Sequence, residues 1–91
     1  MTKREKRLQK LRQNPKDVSL DELRQILESE GFNLDHSAGS HHVFRAKVDN
    51  EVIKVVIPFA RPIKIVYVKQ ALAAIDRIIQ LKETRPQEDE D

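Results

Sequence analysis

Residues 41–58 read HHVFRAKVDNEVIKVVIP, and the way this stretch folds decides the rest of the chain. In an extended chain neighbouring side chains point to opposite faces, so His41, Val43, Arg45 and Lys47 share one face and His42, Phe44 and Ala46 the other. Arg45 and Lys47 belong in water and Phe44 belongs in a core, so the two faces are already assigned. Residues 51–57, EVIKVVI, are dense in the β-branched types that favour a pleated surface. Asp49 and Asn50 between them tolerate the backbone angles of a tight turn. Pro58 lacks an N–H and ends the pairing. A shorter extended piece, FNLDH at 32–36, comes first. No crossover segment separates the three pieces, so an antiparallel meander is expected.

Working outward, residues 18–32 read VSLDELRQILESEGF. Ser19 with Glu22 makes a capping box, and Val18 with Leu23 a hydrophobic staple. Leu20, Leu23, Ile26 and Leu27 recur at helical spacing. Gly31 ends the helix where a left-handed angle is needed, and Phe32 folds back onto its last turn. On the other side, FARPIK at 59–64 is a loop, and 65–83 is a second helix with Val68, Leu72, Ile75 and Ile79 on one face, helped by Ala71 and Ile78. Two amphipathic helices and one sheet with an apolar face make a two-layer α+β sandwich in the order helix, three antiparallel strands, helix. Residues 3–13 add an N-terminal helix whose only apolar side chains are Leu8 and Leu11; Pro15 stops it. That segment either packs on the body or frays. The chain thus divides into a basic helical arm (1–16), one domain (17–82) and an acidic tail (83–91) expected to be disordered.

Ninety-one residues allow one slim domain. The absence of cysteine removes disulfides and thiolate metal sites. No apolar run has the length of a membrane span, and the start lacks the apolar centre of a secretory signal, so a soluble cytoplasmic protein is expected. A net charge of +2 hides a separation of sign: seven cations against Glu5 in the first sixteen residues, five carboxylates against Arg85 in the last nine. A basic arm reads either as a phosphate-binding segment or as a solvated helix.

All three histidines, His36, His41 and His42, fall within residues 36–42 around a Gly39-Ser40 turn. Imidazole is a proton carrier near neutrality, and the alternation puts His41 on the open face beside Arg45 and Lys47. RNA brings its own nucleophile, the 2′-hydroxyl, so cleaving it requires a proton carrier and cations rather than a serine or cysteine. The plain alternatives are an ordinary exposed histidine at 41, a partly buried hydrogen-bonded one at 42 and a strand end at 36. A metal site fits less well, because adjacent strand histidines point apart and no cysteine completes a set. No glycine-rich phosphate loop and no catalytic triad can be assembled. Four aromatic residues make a poor set of stacking platforms, so recognition of paired or structured RNA by shape is the open route.

The stretches VSLDELRQILESEGF, GSHHVFR, VVIP and KIVYVKQALAAI, in this order, resemble the HicA toxin family of mRNA interferases over about residues 17–80. The resemblance implies a fold similar to the double-stranded RNA-binding domain, endoribonuclease activity on mRNA and a HicB-type antitoxin as partner; with no metal-ligand set and a 2′-hydroxyl nucleophile in the substrate, that cleavage is expected to need no metal or other cofactor. The family's catalytic histidine directly follows Gly-Ser, which maps to His41, with Gly39, Ser40 and His42 in support. Many members carry a basic residue, a histidine and a glycine after the third-strand proline. Here PFARPIK places Phe59 and Ala60 there, so phosphate contacts are expected from Arg61 and Lys64, together with Arg45, Lys47 and Lys69. The alternative is a non-catalytic RNA-binding module of the same fold.

Overall fold

The computed structural model describes residues 2–83, and the expected acidic tail lies outside them apart from Glu83. Three helices and three strands follow one another as α1 (Lys3–Gln13), α2 (Leu20–Ser29), β1 (Asn33–Ala38), β2 (His41–Val48), β3 (Glu51–Pro58) and α3 (Ile65–Glu83). The strands form one antiparallel sheet in the order β1-β2-β3, so β2 is central. This is the α+β order that the sequence implies, with α1 in front.

Local signals fix both ends of α2. The Ser19 side chain accepts from the Glu22 N–H while the Glu22 carboxylate accepts from the Ser19 N–H, closing the capping box. Val18 and Leu23 are both buried, as a staple requires. At the other end Gly31 takes φ +105°, Gly31 N–H donates to the Glu28 carbonyl, and Phe32 N–H donates to the Leu27 carbonyl. That pair of bonds is the Schellman ending, which draws Phe32 down beside Leu27, both without solvent exposure.

The sheet turns one face to the helices. Phe44, Ala46 and Val48 of β2 and Val55 and Ile57 of β3 are buried against Leu23, Leu27, Val68, Ala71, Ile75 and Ile78 in one core. In α3 the buried line runs Val68, Ala71, Ile75, Ile78, while Leu72 and Ile79 are only half-buried. The stripe is therefore rotated from the expected Val68, Leu72, Ile75, Ile79. Apolar residues cover a broad arc of this helix, and the sheet meets its middle, leaving Leu72 and Ile79 on one flank and Tyr67, Ala74 and Leu81 on the other.

β1 is longer than the stretch 32–36 suggests, running on to Ala38. Its pairing with β2 carries a bulge: Leu34 faces Phe44 and His36 faces Val43, leaving Asp35 as the extra residue. β2 pairs with β3 without interruption from His41–Pro58 to Val48–Glu51, closed by a turn in which Asp49 takes φ +55°.

α1 is docked rather than frayed. Leu8 and Leu11 are buried in the common core. Arg12 makes two hydrogen bonds to Asp76 of α3, at 3.1 and 2.6 Å, and Arg4 Nε lies 3.2 Å from Oε2 of the buried Glu30. A capping box between Thr2 and Glu5, not foreseen from the sequence, starts the helix. Truncating Leu11 leaves a cavity under a docked helix, so Leu11→Ala should lower the unfolding free energy by about 2 to 3 kcal/mol in urea titrations. An unchanged midpoint would mean that α1 is not held by the core.

Candidate functional site

The site is built on the β1–β2 hairpin. Ala38 pairs with His41, so Gly39 and Ser40 are the whole loop. Gly39 takes φ +59°, with open space where a Cβ would stand, so glycine serves the backbone angle there and not a close approach. The Ser40 carbonyl accepts two hydrogen bonds: from the Phe59 N–H at 2.7 Å, and a contact of 3.2 Å to His42 Nδ1. The hairpin tip, the end of β3 and the start of the β3–α3 loop are thus tied at one backbone oxygen.

From this tie β2 runs out with its two faces distinct. His41 is exposed, as are Arg45 and Lys47 beyond it on the face that no helix covers. His42 is half-buried on the helix side, between the Ser40 carbonyl and a recess lined by Leu20, Leu34, Phe44 and Phe59. The bare face continues across β3 with Val52, Lys54 and Val56, and the two valines are 41% and 42% exposed. Adjacent histidines therefore meet different surroundings: one in solvent on the bare face, one anchored at the turn.

The spacing limits what each cation can do. At about 3.3 Å per residue, Arg45 stands about 13 Å along the strand from His41 and Lys47 about 20 Å. Neither reaches a group held at the His41 ring. Arg61 enters from the loop tied to the hairpin tip, with its guanidinium 5.5 Å from the Phe59 ring centroid. Lys64 stands at the start of α3, where its carbonyl accepts from Tyr67 and Val68, and Lys69 is exposed one turn on. His36 does not end the strand, which runs on to Ala38; its Nδ1 is 2.9 Å from the bulged Asp35, whose other oxygen lies 3.7 Å from Arg45. The three histidines do not converge. Among the described residues no group of three His, Asp or Glu side chains is arranged to hold a metal ion, and no helix is long and apolar enough to cross a membrane.

Sequence reasoning passed over two features, Asp35 and the backbone tie through Phe59. Asp35 had a signal available, an acid beside a histidine in a short strand, but its neighbour Arg45 comes from the pairing of β1 with β2.

A bare antiparallel sheet face with an exposed histidine at its hairpin, backed by helices, defines a small α+β domain. The family model for the HicA toxin of bacterial toxin-antitoxin matches residues 20–76. The chain belongs to the HicA toxin family: it is the toxin of a toxin-antitoxin system, and the family implies an antitoxin partner. The match spans α2, the whole sheet and most of α3, and leaves α1 outside. No curated protein and no solved structure matches the chain.

The Asp35 carboxyl is held below the usual carboxylate value near 3.8, first by the His36 hydrogen bond and then by the charges of Arg45 and Lys54. Because folding lowers this pKa, the interaction stabilises the hairpin at neutral pH and is lost as pH falls through the depressed value. Carboxyl chemical shifts followed by NMR should give Asp35 a midpoint below 3.8, and His36→Ala should move it upward. A midpoint unmoved by that substitution would show that the histidine is not the cause.

Proposed function

We propose that the protein is an endoribonuclease that cleaves mRNA, with His41 as the proton carrier. The observation that carries this reading is the contrast between the two neighbouring histidines: the His42 ring is spent on the Ser40 carbonyl, while the His41 ring stands free in solvent on a cationic sheet face. In the reaction, His41 takes the proton of a ribose 2′-hydroxyl. The 2′-oxygen forms a bond to the adjacent phosphorus, the bond from phosphorus to the 5′-oxygen breaks, and that oxygen takes up a proton from solvent. The products are a 2′,3′-cyclic phosphate and a 5′-hydroxyl end. Arg61 and Lys64, near the hairpin and at the start of α3, hold the phosphate under attack; Arg45, Lys47 and Lys69 hold its neighbours. Gly39, Ser40 and His42 keep the turn that presents His41. No step draws on a metal ion, since the nucleophile belongs to the substrate.

Comparison of two variants tests this. His41→Ala should reduce single-turnover cleavage by about a hundredfold to ten-thousandfold with little change in melting temperature, because an exposed strand residue contributes little to packing. His42→Ala should cost about 1 kcal/mol of stability through its lost hydrogen bond, with a secondary effect on rate. Cleavage should persist in excess chelator. Normal cleavage by His41→Ala would sink the assignment. RNA binding without any cleavage by the unaltered protein would leave the binding-module reading in its place.

The antitoxin, on the same reading, covers the bare sheet face, where exposed Val52 and Val56 adjoin the row that begins at His41. Hydrogen exchange of the complex should show added protection in residues 39–47. An unchanged hairpin would place the antitoxin elsewhere.

A further inference from the structure

We infer that α1, which lies outside the family match, is a second RNA-binding surface: its outward face takes the phosphate backbone through Lys3, Lys6, Arg7 and Lys10, with Lys16 at the edge. This rests on the reading of RNA as substrate and extends it to a separate part of the molecule.

The cations of α1 fall into two sets. Arg4 and Arg12 flank Leu8 and Leu11 on the inward side and are engaged with Glu30 and Asp76. Lys3, Lys6, Arg7 and Lys10 recur at the spacing i, i+3, i+4, i+7, which places them in one row on the helix. All four are exposed, and none forms an ion pair among the described residues. The only carboxylate of the helix, Glu5, is committed to the capping box with Thr2. Arg7, Lys10 and Lys16 also border a groove between α1 and α2 whose two acids are Asp17 and Glu22, the latter committed to the box with Ser19.

A helix face that is merely solvated gains from mixed signs, since opposite charges four apart attract and like charges repel. Here Lys3 and Arg7, and Lys6 and Lys10, are like pairs at that spacing. The helix is not left to escape this repulsion by fraying, because its other side is fixed by two leucines and two ion pairs. The row is thus held rigid and cationic, with no ion pair among the described residues, the condition in which a polyanion binds by releasing its counterions. From Lys3 to Lys10 the helix rises about 10 Å, long enough for the row to meet more than one phosphate of a strand. A regular linear row of charge fits a phosphate backbone better than it fits the scattered carboxylates of a protein surface.

The test measures binding of a long RNA to the full chain carrying His41→Ala, which prevents cleavage, with and without K3Q/K6Q/R7Q/K10Q. The four changes should reduce the slope of log affinity against log salt by about 2 and leave the melting temperature unchanged or higher. The charge-preserving K3R/K6R/K10R should retain both affinity and slope. An unaltered slope in the glutamine variant, with RNA still bound, would overturn the inference while leaving the His41 reading intact. Equal loss in the arginine variant would overturn it too, since charge would not be the cause. Binding of no RNA by any of the proteins, and no cleavage by the unaltered chain, would remove both readings together.

Discussion

Phe44, Ala46 and Val48 must lie against the helices, and the rest of the molecule depends on that constraint. Strand alternation then leaves His41, Arg45 and Lys47 no place but the bare face. A slip of one residue would bury two cations and expose the largest core side chain of the sheet, so the register is strongly specified. The one irregularity falls in β1, where Asp35 is inserted, and not in the central strand, whose pairing with β3 is unbroken. The bulge changes how an edge strand presents its polar groups and leaves untouched the strand that presents the histidine.

The helices act on the site indirectly. α2 and α3 supply the apolar surface that holds β2 in register, and their ends supply the anchors: Phe32 drawn in by the Gly31 turn, and Ile63, whose N–H donates to the Val18 carbonyl at 2.9 Å. That last bond joins the segment before α2 to the segment before α3, so the loop bearing Phe59 and Arg61 is fastened at both ends, once to the hairpin and once to the helical layer. α1 closes the helical layer from outside. Its ion pairs link it to the end of α2 and the middle of α3, so a segment outside the family match has become part of the common core.

Much of this was legible in the sequence wherever one local segment carried the information. Ser19 with Glu22, Gly31 before Phe32, and the alternation around Phe44 each state their outcome within a few residues. The helix at 65–83 was legible in extent but not in orientation, because a broad apolar arc gives a width and the partner chooses its centre. What escaped was long-range or carried by the backbone. Arg12 and Asp76 are 64 positions apart. The Asp35 bulge is a property of two strands in register, not of either alone. The contact between Phe59 and Ser40 uses an N–H and a carbonyl that every residue but proline could offer.

That contact has a consequence for how the site can vary. The Ser40 hydroxyl is not what holds the hairpin to the third strand; the carbonyl behind it is, and it serves His42 and Phe59 together. Side chains at 40 and 59 are therefore free to drift without loosening the clamp, provided that position 59 keeps an amide proton. The identity of the residue after Pro58 can wander while the architecture around the histidine stays constant, and Phe59 holds the hairpin as firmly as a polar residue there would.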